Sequence, residues 1–293
     1  MRIVSLLPST TEIIIDLGLA DELLGVTAEC NWPEHVREGR EIVVRSFADA
    51  AMTPGEIDEY VRRQVDAGLD LYQLDDEALR RCDPDLIVSQ DLCRVCAVAS
   101  GDVDAAMERL NCHADVLQID PQTLDDVLTS IVTIAAAAGV SQRGRDVVSS
   151  LRDRLTKVAT AVERLPRRRV FVLEWIDPPF GAGHWVPDLV IAAGGEPILA
   201  RPGERSVPTT WAEIGAARPD VVVVAPCGFG LGQATQQAHL IHDMIPASCE
   251  VWAIDADAVM VRPGPRLVDG VEALASILHG AGDVRGDVVS RVR

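Results

Sequence analysis

Cys93 and Cys96, in Gln90-Asp91-Leu92-Cys93-Arg94-Val95-Cys96, have the C-x-x-C spacing that lets two thiolates close on one metal ion. Cys30, in Glu29-Cys30-Asn31-Trp32-Pro33, and Cys227, in Pro226-Cys227-Gly228-Phe229, would complete a four-thiolate set for zinc or an iron–sulfur cluster. Small thiols also pack as apolar residues, so ligation and packing both stand as readings. His184 lies in a Gly-rich loop beside Trp185. Its neutral imidazole can ligate cobalt, iron or zinc, or simply hydrogen-bond backbone at the helix start expected near Val186. His239 and His242 stand three apart without a third ligand nearby, which fits a solvated helix face better than a metal site. Glu174 and Asp177 have the types of an acid–base pair. No G-x-S-x-G, Walker loop or H-E-x-x-H accompanies them, so no catalytic residue is expected and the chain does not read as an enzyme. Polar contact to a bound ligand is the simpler role for both carboxylates.

Aromatics carry a second kind of chemistry. They make up only 4% of the chain, yet four of the five Trp (Trp32, Trp175, Trp185, Trp211) and two of the four Phe (Phe180, Phe229) fall in loops that follow expected strands. Scarce aromatics gathered on strand-end loops point to a large, flat, mostly apolar ligand held by stacking and contact area. Arg262, in Arg262-Pro263-Gly264-Pro265-Arg266, adds a cation to the same class of loop.

The elements that would position these residues are legible. Short apolar runs such as Leu86-Ile87-Val88, Val170-Phe171-Val172-Leu173 and Val221-Val222-Val223-Val224 alternate with amphipathic segments, the pattern of strands and helices wound into parallel sheets. Ligands of such sheets sit beyond the carboxyl ends of the strands. Ser9-Thr10-Thr11-Glu12 has the form of a capping box ahead of Ile13-Ile14-Ile15, with Gly18 as the stop. Asp83-Pro84-Asp85-Leu86-Ile87-Val88 is echoed by Arg218-Pro219-Asp220-Val221-Val222-Val223, and Arg2-Ile3-Val4 by Arg169-Val170-Phe171, so two similar lobes are expected. The division is residues 1–120 for the first lobe, 121–166 for a helical segment and 167–293 for the second lobe. The helical segment holds one helix from about Thr123 to Ala138, a break at Gly139 and a charged helix from about Ser141 to Leu165, long enough at ~1.5 Å per residue to run along both lobes. The expected fold class is therefore α/β: two lobes with parallel sheets, joined by a long backbone helix, with a ligand cleft between the lobes that closes only slightly.

Bulk properties narrow the partners. At 293 residues with a net charge of −18, the surface repels phosphate backbones, and nucleic acid is excluded as a partner. The start Met1-Arg2-Ile3-Val4-Ser5-Leu6-Leu7-Pro8 reads as a first strand rather than a secretory leader, and no apolar run reaches the ~18 residues of a membrane span. Seven cysteines, an odd number, argue for a reducing compartment or a thiolate site. As the sequence stands, a cytoplasmic monomer is expected; a trimmed leader would make it periplasmic or otherwise extracytoplasmic.

Several segments together resemble one known family. Arg2 to Glu12, Glu29-Cys30-Asn31-Trp32-Pro33, Ser89 to Ala97, Asp177-Pro178-Pro179-Phe180 and Arg262 to Val268 are similar to the cobalamin-binding branch of the helical-backbone (class III) periplasmic substrate-binding proteins of ABC transporters. The resemblance covers Arg2 to about His279. It implies two Rossmann-like lobes, a cobalamin or other corrinoid as ligand, and delivery to, or salvage for, an ABC importer permease. It further implies that Trp32 lies against the corrin face, with Phe180 and Trp211 as its counterparts from the second lobe and Arg262 at the polar periphery. Gln90 and Asp91 stand where studied members place a Trp, which removes stacking there and leaves polar contact. Haem or an iron chelate on the same fold, or a metal or iron–sulfur protein built on the cysteines, are the alternatives.

Overall fold

The computed structural model describes residues 1–46, 52–67, 69–90, 107, 113–281 and 286–293. The chain forms two compact units: residues 1–121 with 128–148, and residues 122–127 with 149–293.

The first unit is built on a six-stranded sheet of β1 (Ile3–Ser5), β2 (Leu23–Thr27), β3 (Glu41–Ser46), β4 (Tyr72–Leu74), β5 (Leu86–Gln90) and β6 (Asp115–Ile119), in the order β4-β3-β2-β1-β5-β6. Every neighbouring pair is parallel except β3 with β4. Helices α1 (Pro8–Asp16), α2 (Pro54–Asp66) and α3 (Asp76–Cys82) follow β1, β3 and β4. Val4, Leu6, Val43, Val44 and Ile87 pack with Ala78, Leu79 and Cys82 of α3, an apolar cluster between the sheet and the helix. The helix after β1 departs from expectation. Pro8 occupies its first turn, Leu7 is the cap without a side-chain bond, and Ser9 to Glu12 are buried inside the helix, so no capping box forms there. Gly18 does supply the stop, at φ +70°.

Helices α4 (Leu124–Ala137) and α5 (Ser141–Val162) are shared out, residues 124–127 and 149–162 with the second unit and the remainder with the first. The charge on α5 is not all solvated: Arg154 donates to Asp269 at 2.5 Å and to Glu272 at 2.7 Å.

The second unit has a seven-stranded sheet of β7 (Arg169–Ile176), β8 (Pro179–Gly181), β9 (Glu196–Pro197), β10 (Val207–Pro208), β11 (Val221–Val224), β12 (Glu250–Ile254) and β13 (Val289–Arg291). Its order is β10-β8-β7-β11-β12-β13 with β9 beside β7. The centre, β7-β11-β12, is parallel, while β8, β10 and β13 run antiparallel to their neighbours. The helices are α6 (Val186–Ala192), α7 (Trp211–Ala216), α8 (Leu231–Ile241), α9 (Ala256–Val259) and α10 (Leu267–His279), with a short 3₁₀ turn at His242–Met244. His239 lies in the last turn of α8 and His242 in the 3₁₀ turn that follows.

The sequence repeat has a physical counterpart at the amino end of each sheet. Asp83 and Arg218 both take left-handed backbone, φ 43° and 49°, ahead of a proline. Asp85 then bonds Arg2 in both directions, its amide to the Arg2 carbonyl at 2.8 Å and its carboxylate to the Arg2 amide at 2.7 Å. Asp220 repeats this with Arg169 at 2.9 and 2.7 Å. The Arg2 guanidinium also reaches Asp83 and Asp85. It holds the Asp85 carboxyl well below its usual value of 3.8, at about 2. A depressed carboxyl stabilises the fold above its unfolded value and loses that contribution as pH falls through the folded one. Asp85→Asn is therefore expected to unfold like the unaltered chain in acid near pH 2 but to be the less stable of the two at neutral pH, the difference closing between about pH 4 and 2 in thermal melts.

Candidate functional site

In the first unit, the loop after β2 carries Trp32, which is 46% exposed and precedes a cis Trp32–Pro33 bond. Cys30, two residues earlier, is drawn the other way. It is 1% exposed, with its sulfur 3.2 Å from the Thr11 hydroxyl and 3.3 Å from that of Thr27. This thiol packs within the first unit. Gln90 ends β5 and is buried, while Asp91, Cys93 and Cys96 lie outside the described residues. Among the described residues, no group of three or more His, Cys, Asp or Glu side chains gathers as a metal site.

The second unit brings more of the expected residues together, at the carboxyl ends of β7, β11 and β12. β7 continues through Ile176, so Glu174 and Trp175 belong to the strand rather than to the loop after it. The chain turns at Asp177 and cis Pro178 and runs back as β8. Register slips between Leu173 and Trp175, which opens a bulge at Glu174 and re-aims its side chain. Phe180 then sits opposite Trp175 on one side and Pro208 of β10 on the other. The Trp175 ring lies 5.8 Å from that of Phe229, tilted by 41°, a favourable aromatic geometry. Its indole nitrogen donates to the Asp177 carbonyl at 3.1 Å, which fixes the ring. Cys227 is exposed on the loop after β11, its amide donating to the Glu174 carbonyl at 3.2 Å.

Glu174 turns inward. Ser206 Oγ donates to its carboxylate at 2.8 Å, and the Gly183 amide donates to Ser206 Oγ at 3.1 Å. Burial pushes the Glu174 carboxyl above its ordinary value, with the Ser206 hydroxyl and the Gly183 amide partly opposing the rise. Arg262 donates to Asp257 at 2.6 Å with 10% of its side chain exposed, so this pair fixes the guanidinium. His184 takes a left-handed φ of 52°, its ring 5.7 Å from that of Trp185, and its amide donates to the Glu204 carbonyl at 2.6 Å.

Two of the expected ligand contacts, Trp185 and Trp211, make packing contacts within the second unit. Trp185 is 6% exposed and donates from Nε1 to the Met260 carbonyl at 2.9 Å. Trp211 opens α7 behind a Thr210–Glu213 capping box and packs half-buried against the core of Phe171, Leu173, Ile214 and Val222. Ser206, Gly183 and Asp257 were not singled out by sequence. Asp257 had a signal, five residues before Arg262 and in the short helix that precedes the Arg262 loop. Ser206 had none, because it meets Glu174 across 32 residues.

Each of the two α/β units carries aromatic side chains at the carboxyl end of a parallel-rich sheet, Trp32 in the first and Trp175, Phe180 and Phe229 in the second. The periplasmic binding protein model matches residues 3–249. The chain belongs to the periplasmic binding protein family, whose members are substrate-binding proteins. It is 23% identical over 290 residues to the ABC transporter substrate-binding lipoprotein YvrC of Bacillus subtilis strain 168, covering 95% of this chain and 80% of that one. It is 22% identical over 284 residues to a vitamin B12-binding protein of Vibrio cholerae, covering 94% and 88%. A periplasmic heme-binding protein of Pseudomonas aeruginosa shares the fold with a TM-score of 0.72 and 17% identity over 99% of this chain and 97% of that one. Among the described residues, no helix is long and apolar enough to cross a membrane.

Proposed function

We propose that this chain binds a corrinoid and hands it to an ABC importer permease, working outside the cytoplasmic membrane. The observation that carries the reading is the aromatic surface of the second unit. Trp175 and Phe229 form a fixed pair, and Phe180 is paired across the strand from Trp175. A flat macrocycle gains most from such rigid faces, since few rotamers are lost on binding. Trp32, on the loop after β2, is the exposed aromatic of the first unit. The vitamin B12-binding relative supports corrinoid, and the heme-binding fold neighbour supports haem as the second reading.

The test is tryptophan fluorescence and calorimetry with cyanocobalamin and haemin. The expected result is quenching and binding heat at micromolar cyanocobalamin, with haemin failing to compete. Phe180→Ala and Trp32→Ala should each weaken binding about tenfold, which is about 1.4 kcal/mol, without moving the melting temperature by more than a few degrees. Silence with cyanocobalamin and saturable binding of haemin would replace corrinoid by haem.

A further inference from the structure

We infer that Glu174 does not meet the ligand but is a positioning residue, which through Ser206 and Gly183 fixes the β8–β10 ribbon that carries Phe180. The binding arm of this inference rests on the corrinoid reading; the structural arm does not.

Four features of the second unit support it. First, Glu174 occupies a bulge in β7, where one extra residue turns a side chain away from the ladder. Second, its carboxylate accepts from Ser206 Oγ, and Ser206 Oγ accepts from the Gly183 amide, so one carboxyl ties β7 to two other segments. Third, those two segments cross at close quarters: His184 N donates to the Glu204 carbonyl and Gly203 N to the His184 carbonyl, at 2.6 and 3.0 Å. Fourth, the crossing stands directly beside the ribbon. Gly181 and Phe180 pair with Val207 and Pro208, one residue on from Ser206. The backbone of Glu174 is tied as well, its carbonyl accepting from Cys227 N. Loosening the carboxyl frees the crossing, and the crossing sets where Phe180 stands.

Desolvation raises the Glu174 carboxyl above its ordinary value and outweighs the Ser206 and Gly183 hydrogen bonds, which favour the ionised form, so the net balance at the crossing favours the protonated carboxyl. For a carboxyl raised in the folded state, the contribution is present below its ordinary value and is lost as pH climbs through the raised one. The other ionisable groups on the elements packed around it are Arg169 on β7 and Glu196 on β9 at their far ends, Asp177 after β7, His184, Glu204 and Arg205 on the crossing segments, and Cys227 after β11. All of them persist in Glu174→Gln, so comparison with that variant isolates Glu174.

The experiment measures cyanocobalamin affinity against pH, together with amide hydrogen exchange of the ligand-free protein over residues 180–208, for the unaltered chain, Glu174→Ala, Glu174→Gln and Ser206→Ala. Expected are a loss of about tenfold in affinity and faster exchange in Glu174→Ala and Ser206→Ala. Glu174→Gln should bind within about threefold of the unaltered chain at acidic pH and lack its decline in affinity as pH rises. Should Glu174→Ala not fold, Ser206→Ala carries the same two readouts. Unchanged exchange in both alanine variants overturns the inference, as does Glu174→Gln binding as poorly as Glu174→Ala with an unchanged ribbon, since that marks a direct ligand contact. Absence of cyanocobalamin binding by the unaltered chain overturns the corrinoid reading alone, and exchange then decides the positioning role.

Discussion

Gly183→Ala is expected to lower the stability of the second unit by about 3 kcal/mol, at the upper end of the usual cost of overpacking. A Cβ at this position would fall within contact of the Ser206 nitrogen, the Arg205 carbonyl carbon and the Glu204 carbonyl oxygen. All three are backbone atoms, held by the bonds of His184 and Gly203 to the opposite segment, so no side-chain rotation relieves the clash. The chain must separate there, and the Gly183–Ser206–Glu174 relay separates with it. In a thermal melt the midpoint should drop by roughly 10 °C, at about 2–4 °C per kcal/mol for a unit of this size, and cyanocobalamin affinity should fall alongside. A melt within about 2 °C of the unaltered protein would show that the crossing is not tightly packed.

Trp185→Ala is expected to cost about 3–5 kcal/mol, the range for removing a large buried aromatic. The ring is almost wholly enclosed and its indole nitrogen satisfies the Met260 carbonyl, so truncation leaves both a cavity and a buried acceptor without its donor. Trp185→Phe separates the two effects: it keeps most of the ring volume and loses the hydrogen bond, for about 1 kcal/mol by denaturant unfolding. If instead Trp185→Ala melts normally but loses cyanocobalamin, the residue is a ligand contact rather than a packing residue.

The contrast between Trp185 and Trp175 shows what sequence could and could not convey. Both were visible as aromatics near the end of an expected strand, and β7, β11 and β5 were readable because their runs of Val, Ile and Leu are buried on both faces of a parallel sheet. It was less evident that β8 would fold back antiparallel and prolong β7 to Ile176, and this extension puts Glu174 in a bulge. Side-chain destinations were the least legible. Cys30 reads alike as a ligand or as packing until Thr11 and Thr27 are seen on either side of its sulfur. The Glu174 carboxylate is another case, since Ser206 reaches it from a segment 32 residues away that nothing in the sequence announces. The Ser9–Glu12 pattern failed for a local reason: Pro8, suited to the first turn, starts the helix earlier and leaves the would-be cap inside it.

The paired latch of Arg2 with Asp85 and Arg169 with Asp220 lies at the amino end of each sheet, away from the aromatic loops. Each unit therefore closes its strands by a fastening that owes nothing to the residues addressing a ligand. Loops at the carboxyl ends of β2, β11 and β12 can then be exchanged without undoing the sheets, whereas the turn after β7 belongs to the second sheet itself. This makes the chain a scaffold for grafting new recognition loops, provided that Asp85 and Asp220 are retained.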